Sequence, residues 1–472
     1  MAEIEKINFK TNSWGIFASF FIGIGLILFQ DFIPVNESIL AWEFNIFYLL
    51  GLFTIWISAK RRLTPYILFY LTCGLFIGGR FFAVGFGYDE ESIFQPTFFY
   101  SYYVDNNRKI ELMRYVIGFF LMNIIGFVIS KSISINKLKH IDFPLKTITI
   151  SHINTILRFL FPIFMLITVY YSGSDLIRVL KGGYLALYIG RQTDSYSAGA
   201  SIFLALNNAF FGIAMGYGDK KVQKWYILLF VIRALVEIII GSRRSFGAML
   251  LVFLWMWSSQ RKVSTKRLGL ALLGCCAFLI LVASFSIRAL TPNSTMLNYD
   301  KLAYSFLYSQ GITLMVFDSS RLIYDYPVIG YFNNLFPGTN AVYNLFSTKV
   351  LYPQDIDWSN WMCYQFNSKL FSDGAGLGWS IMSDLYMYAN RTYLFFLILS
   401  AFWSFFVGIW ERVSEFSRFL KSWLFMVIMS VVIIPRSSMG SIFPHVYYLL
   451  IFFTILILFI QIANLNKSCN HD

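Results

Sequence analysis

Charged residues are scarce in this chain of 472 residues. Asp, Glu, Lys and Arg together make up 13% of it, whereas hydrophobic residues make up 57%. This balance lies well outside the usage of soluble globular domains. An ordinary water-soluble protein is therefore excluded.

Cysteine and histidine are also scarce, with five and four residues respectively. They are dispersed along the chain, with no CxxC pair and no spacing typical of metal ligands. We therefore expect no disulfide framework, no metal site and no cofactor. The net charge of +13 falls largely in short loops between apolar runs, so it indicates topology, and nucleic acid is not an expected partner.

Apolar runs of about 18 residues or more recur along the chain, and each can cross a hydrocarbon core of roughly 30 Å as a helix. They predict an all-α, polytopic integral membrane protein with about twelve transmembrane helices. The expected spans lie near 14–32, 40–58, 65–85, 115–133, 153–171, 202–217, 225–240, 246–257, 268–286, 393–410, 423–434 and 446–462.

The orientation of the chain in the membrane follows from its basic loops. These loops, at 60–62, 131–146, 220–224 and 261–267, are every second loop between the expected spans. The positive-inside rule places these loops, and both termini, in the cytoplasm. The expected organisation is an N-terminal transmembrane bundle over 1–288, a large outer loop over 289–375, and a C-terminal part over 376–472. That last part holds a candidate re-entrant helix at 376–390 and the final spans.

Several arginines oppose this topology, because they fall in the outer halves of spans or in outer loops. An arginine at the centre of a span costs roughly 2.5 to 3.5 kcal/mol on insertion scales, so such residues tend to have a partner or a task. A diphosphate is a suitable partner, since the guanidinium group pairs with two of its oxygens. The candidate diphosphate or glycan ligands are Arg178, Arg191, Arg243, Arg244 and Arg436, whereas structural contacts are favoured for Arg80, Arg288 and Arg321.

The most informative of these arginines is Arg244. Arg233, Glu237 and Arg244 share one helix face, so Arg233 and Glu237 can pair and leave Arg244 at the outer end. The alternative is an interfacial arginine pair that reaches lipid phosphates.

A second group follows the glycine-rich stretch 374–378. Ser380, Asp384, Tyr388 and Arg391 would share a face of one helix. The helix start could hold an anion or a sugar hydroxyl, or it could simply be an N-capped helix after a hinge. Both interpretations stay open.

Two further features offer polar side chains. His445, at the outer end of the last span, is a candidate base or a satisfied interface residue. The Asp355-Ile356-Asp357 sequence resembles a metal-binding DxD motif, but its place in an outer loop favours a solvated turn.

The arrangement resembles the O-antigen polymerase (Wzy) family of bacterial inner membranes. The resemblance rests on the outer Gly-Ser-Arg-Arg at 241–244, the large late loop, and Gly-x-Gly-x-Ser at 376–380 before an acidic residue. Asp384 stands where the family usually has a glutamate, and Asn390-Arg391 replaces the usual Asn-Phe-Gly.

This resemblance implies a glycosyltransferase that polymerises oligosaccharide repeat units on the periplasmic face. Because the outer arginines can stabilise the charge of a leaving diphosphate, we expect the reaction to be metal-independent. The expected partners are undecaprenyl-diphosphate-linked oligosaccharide and membrane lipid, with a chain-length regulator as an open further partner. Asp384 and His445 are the candidate catalytic residues, and Ser380 and Tyr388 join the arginines as candidate substrate ligands. The alternatives are an O-antigen ligase, whose family usually relies on a loop histidine that 291–374 lacks, and a lipid-linked oligosaccharide flippase.

Overall fold

The computed structural model describes residues 2–96, 102–133, 147–183, 186, 195–240, 243–260, 263–285, 302–347 and 351–469. Within these residues the regular structure is helical and contains no strand. This confirms the predicted all-α class.

The first ten helices are long, apart from a short pair near the start. They are α1 (Ala2–Phe29), α2 (Glu37–Ser58), α3 (Pro65–Phe76), α4 (Gly79–Gly85), α5 (Asn106–Ser132), α6 (Thr147–Gly182), α7 (Ser195–Tyr217), α8 (Lys220–Ile240), α9 (Arg243–Gln260) and α10 (Thr265–Phe285).

Eight short helices follow, and three long ones end the described chain. The short helices are α11 (Leu302–Gln310), α12 (Thr313–Ser320), α13 (Ile329–Asn333), α14 (Thr339–Phe346), α15 (Pro353–Ile356), α16 (Trp358–Phe366), α17 (Ser368–Ser372) and α18 (Ile381–Tyr388). The long ones are α19 (Tyr393–Val413), α20 (Arg418–Ile433) and α21 (Phe443–Cys469). Two 3-10 turns, Ile434–Arg436 and Met439–Ser441, join α20 to α21.

Seven helices in the described part of the chain are long and apolar enough to cross a membrane, and a bent pair would make an eighth. The seven spans are Trp14–Phe32, Glu37–Ser58, Asn106–Ser132, Thr149–Gly182, Tyr393–Val413, Arg418–Arg436 and Met439–Ile462. The chain is thus a multi-pass membrane protein. The count of about twelve stays a prediction.

The expected span at 65–85 is two helices rather than one. Helices α3 and α4 meet at 60°, with Gly78 and Gly79 at the break. A Cβ on Gly79 would lie 2.5 Å from the Leu307 carbonyl oxygen of α11. The bend therefore depends on a glycine that lets α11 approach the backbone of α4.

Glycines also bring the long helices together. A Cβ on Gly126 of α5 would overlap the backbone of Ala401 in α19, and one on Gly212 of α7 would overlap the backbone of Ser422 in α20. Close packing through small residues is typical of helices in membranes, where lipid tails provide no hydrophobic drive for association.

The bundle has two distinct ends. At one end the Lys131 ammonium pairs with Glu411, which also accepts from the Tyr66 N–H at 3.1 Å. At the other end the Tyr393 hydroxyl donates to the Arg114 carbonyl at 3.0 Å. Helices α5 and α19 therefore run in the same direction, and the short helices cover the Tyr393 end.

The short helices have an apolar core of their own, which indicates a folded unit rather than a linker. Trp358 is 2% exposed, and its indole N–H donates to the Pro327 carbonyl at 3.0 Å. The buried members of this core are Val316, Ile323, Tyr326, Trp358, Met362, Cys363, Phe371, Leu377, Trp379 and Met387.

A buried ion network anchors this unit to the bundle. Asp318 of α12 is fully buried and accepts from the Arg108 Nε at 2.9 Å and the Tyr102 hydroxyl at 2.7 Å. Arg321 lies 3.6 Å from the same carboxylate and pairs with Glu111 of α5. The predicted structural role of Arg321 is confirmed.

Arg80 also has a structural role, as predicted. Its Nη1 donates to the carbonyls of Ile93 and Gln95 at 2.9 and 2.6 Å, and its guanidinium lies 4.5 Å from the centre of the Tyr308 ring. Arg288 lies outside the described residues.

We predict that Arg108→Ala lowers the free energy of unfolding by about 3 kcal/mol, because removing one partner leaves a buried charge poorly compensated. The matched control is Arg158→Ala, which breaks an ion pair to Asp219 with partners 48% and 41% exposed and should cost less than about 1 kcal/mol. Unfolding of both variants in detergent would be followed by denaturant titration. Equal losses would contradict this ranking.

Candidate active site

A pocket of about 540 Å³ lies at the end of the bundle that carries the short helices. Its wall is built from the start of α9, the segment 333–338, the start of α16, the turn at 378–379 and the segment 436–448. The fold thus brings together Arg244, Arg436 and His445, three of the residues that the sequence singled out.

Arg244 and Arg436 contribute positive charge to the same pocket. The Arg244 Nη1 donates to the Arg436 carbonyl at 3.1 Å, and the Arg436 Nη1 lies 3.4 Å from the Gln310 Oε1. The predicted pairing of Arg233 with Glu237 is present at 3.9 Å. An anion with several oxygens is the ligand that two converging guanidinium groups favour.

His445 lines the same pocket from the first turn of α21. Its Nδ1 is buried and has no hydrogen-bond partner among the described residues. Its ring packs edge-on against Tyr448 at 5.9 Å between centroids. A pocket imidazole with an unpartnered ring nitrogen can accept a proton from a bound hydroxyl.

Asp357 supplies a carboxylate to the pocket. It caps α16, since its Oδ1 accepts from the Asn360 N–H at 2.9 Å and the Ser359 hydroxyl at 2.5 Å. Asp355 accepts from the N–H of Tyr352, the N-cap residue of α15, at 3.1 Å. The interpretation of this pair as a solvated turn therefore fits Asp355 but overlooks the position of Asp357.

Asp384 lies behind the pocket wall, fully buried. Its Oδ1 accepts from the Trp379 indole N–H at 2.7 Å and the Asn334 amide at 3.1 Å, and its Oδ2 accepts from the Met439 N–H at 2.6 Å. The Ser438 hydroxyl donates to Asn334 at 2.8 Å. The carboxylate therefore holds three segments of the wall together.

Burial dominates the ionisation of Asp384, which lies outside the candidate spans. It raises the pKa of this carboxyl from 3.8 to about 7, although the N–H groups of Met439 and Trp379 favour the charged form. The folded protein therefore binds a proton at this position more tightly than the unfolded chain does.

The glycine-rich stretch leads into an N-capped helix. The Ser380 hydroxyl accepts from the Ser383 N–H at 3.1 Å and is fully buried, so it caps α18 and does not line the pocket. Gly374 and Gly378 have φ of +84° and +88°, in the region that favours glycine. The turn at Gly378 aims Trp379 at the pocket and at Asp384.

Helix α18 ends at Tyr388, so the expected continuous face does not reach Arg391. Asn390 and Arg391 have φ of +47° and +63°, which ends the helix, and the Arg391 Nη2 donates to the Tyr324 carbonyl at 2.5 Å. The Tyr388 hydroxyl donates to the Tyr331 carbonyl at 2.8 Å, within the core of the short helices. Neither side chain lines the pocket.

The remaining predicted ligands are Arg178, Arg191 and Arg243. Arg178 lies in α6, is partly buried and is not among the residues that line the pocket. Arg191 lies outside the described residues, as does the side chain of Arg243 at the start of α9. Their predicted roles stay predictions.

Four further residues with polar groups complete the pocket wall, and the sequence did not identify them as pocket residues. They are Asn334, Asp357, Trp379 and Ser438. The DxD spacing was the one local signal for Asp357. Among the described residues, no group of three or more His, Cys, Asp or Glu side chains is placed to hold a metal ion.

A comparison with protein families finds a match over residues 12–468, nearly the whole chain, to the family described as O-antigen polysaccharide polymerase Wzy. No curated protein and no solved structure matches significantly.

We predict that Asp384→Asn removes a pH dependence of stability. Because the folded-state pKa is raised, this carboxyl stabilises the fold at low pH, and that contribution is lost as the pH rises towards and through about 7. The measurement is the thermal unfolding midpoint in detergent, taken for both proteins between about pH 5 and pH 8. The wild type should lose more stability over this range, and parallel curves would contradict the assignment.

Proposed function

Because the chain belongs to the O-antigen polysaccharide polymerase Wzy family, we propose that its pocket joins lipid-linked oligosaccharide repeat units on the periplasmic face of the bacterial inner membrane. The family implies polymerisation of O-antigen repeat units. The observation that carries the finer proposal is the meeting of Arg244, Arg436 and His445 in one pocket.

The donor is a growing glycan on undecaprenyl diphosphate, and its diphosphate binds at Arg244 and Arg436. During transfer, the bond between the anomeric carbon and the diphosphate oxygen breaks, and the electron pair leaves on the diphosphate. Two fixed guanidinium groups stabilise that developing negative charge. They do so without a divalent metal, which makes the proposed reaction metal-independent.

The acceptor is a hydroxyl at the non-reducing end of a new lipid-linked unit. Its oxygen forms the new bond to the anomeric carbon, and its proton passes to His445. We assign the base to His445 rather than Asp357 because the His445 Nδ1 has no partner among the described residues, whereas the Asp357 Oδ1 already accepts two hydrogen bonds.

Asp384 is a positioning residue in this proposal. Its full burial keeps substrate away, and its hydrogen bonds fix Trp379, Asn334 and the segment that follows Arg436. Pre-set wall geometry of this kind lets charge stabilisation occur without reorganisation at the moment of transfer.

The ligase and the flippase are the competing functions. Lipopolysaccharide banding in a deletion strain separates them: a single repeat unit on the core indicates a lost polymerase. Lipid-linked polymer that is never transferred indicates a lost ligase. Absence of repeat units from the periplasm indicates a lost flippase.

We predict that Arg244→Ala, expressed in that strain, abolishes long-chain product although the protein is made and inserted. The lost charge-assisted hydrogen bonds are each worth about 1.5 to 3 kcal/mol, which corresponds to a rate loss of roughly tenfold or more. Arg244→Lys should restore only part of the chain length, since an ammonium cannot make the two-pronged contact.

The matched control for Arg244→Ala is Arg158→Ala, an arginine of α6 that pairs with Asp219 and does not line the pocket. It should give wild-type banding. Full-length product from Arg244→Ala would exclude Arg244 from the donor site.

We also predict that His445→Asn removes the fall of kcat at acidic pH. In the wild type this fall reports protonation of the base that takes the proton from the acceptor hydroxyl, and the variant lacks that base. The comparison is Asp357→Asn, which keeps an N-cap on α16 while removing the carboxylate charge. Asp357→Asn should retain the fall of kcat at acidic pH. The reverse pattern would transfer the role of base to Asp357.

A further inference from the structure

A stretch of the short-helix unit carries no charge. The 23 residues between Asp325 and Lys349 contain no Asp, Glu, Lys or Arg, yet they include three Phe and three Tyr. A loop surrounded by water normally carries charged residues. This composition indicates contact with an apolar surface.

Helix α14, within this stretch, has an apolar face that the described residues leave exposed. Val342, Leu345 and Phe346 lie on one side at spacings of three and four, and they are 55%, 80% and 88% exposed. Exposing three adjacent large apolar side chains to water is unfavourable in free energy, so this face indicates a binding surface.

The position of α14 identifies the kind of surface. The Phe336 ring, just before α14, packs against Tyr447 of α21 at 5.7 Å between centroids. Helix α21 belongs to a candidate span and presents Ile451, 51% exposed, on its outside. The residue that leads into α14 therefore packs on a helix of a candidate span, which places the start of α14 beside that span.

The same segment forms the rim of the pocket. Phe336, Pro337 and Gly338 line it, and Gly338, with φ of +70°, precedes the first residue of α14. The chain is fixed just before this rim, because Asn334 hydrogen-bonds to Asp384. A ligand that leaves the pocket past Phe336 would pass along α14.

We propose that the apolar face of α14 binds the polyprenyl chain of the lipid-linked substrate where that chain leaves the diphosphate pocket. The inference rests on the proposed function, which places the diphosphate at Arg244 and Arg436. It assigns α14 a role in substrate selection: the helix distinguishes long isoprenoid carriers from short ones.

The test uses purified full-length protein in detergent and one repeat unit carried on two lipids, full-length undecaprenyl diphosphate and a short isoprenoid diphosphate. The readout is the ratio of kcat/KM for the long carrier to that for the short one. The variant is Leu345→Ser combined with Phe346→Ser. The matched control is Phe402→Ser in span α19, whose side chain is 62% exposed but does not line the pocket.

The wild type and Phe402→Ser should prefer the long carrier, and the double variant should lose about tenfold or more of that preference. An unchanged ratio in an active double variant would overturn the inference and leave the proposed function intact. A wild type that polymerises neither substrate would instead overturn the proposed function.

A second measurement identifies the lipid directly. A benzophenone amino acid placed at Phe346 should crosslink to radiolabelled undecaprenyl-diphosphate-linked repeat unit in vesicles, and excess unlabelled substrate should compete. Crosslinks to phospholipid alone would show that α14 only rests on the membrane, which would overturn the inference.

Discussion

The buried carboxylate of Asp384 is the interaction on which the pocket depends. It accepts hydrogen bonds from Trp379, Asn334 and Met439, which belong to three separate segments of the chain. Each segment contributes to the pocket wall, and the last of them follows directly on Arg436. Loss of these hydrogen bonds would release the wall from α18, and with it the alignment of the cationic and proton-accepting groups.

The carboxylate can hold this position because the short helices are themselves fixed to the bundle. Asp318 joins α12 to α5 through Arg108, and the glycine at the break between α3 and α4 lets α11 pack on the backbone. The folded unit therefore stands at one end of the bundle as a support for the pocket. Such rigid support suits the proposed reaction, in which fixed charges stabilise the leaving group.

Local sequence patterns predicted the features that depend on neighbouring residues. The spacing of Arg233 and Glu237 predicted their ion pair, which is present. An N-capped helix was one of the two interpretations of Ser380, and its hydrogen bond to the Ser383 N–H confirms this one. Contacts between residues far apart in the sequence could not be predicted from such local patterns. Asp357 lines the same pocket as His445 and Arg436 only because the short helices pack on the bundle. The break at Gly78 and Gly79 depends on the approach of α11. Polar residues and proline interrupt the uncharged stretch that contains α14, so this stretch does not stand out as an apolar run.

In the proposed reaction, fixed arginines stabilise a leaving lipid diphosphate in one pocket. The most direct test of this stabilisation is polymerisation by the purified protein from lipid-linked repeat units in excess EDTA, with polymer and released lipid diphosphate both quantified. The account predicts undiminished polymer and one lipid diphosphate released for each new glycosidic bond. Loss of product in EDTA that magnesium restores, or polymer formed without release of lipid diphosphate, would contradict it.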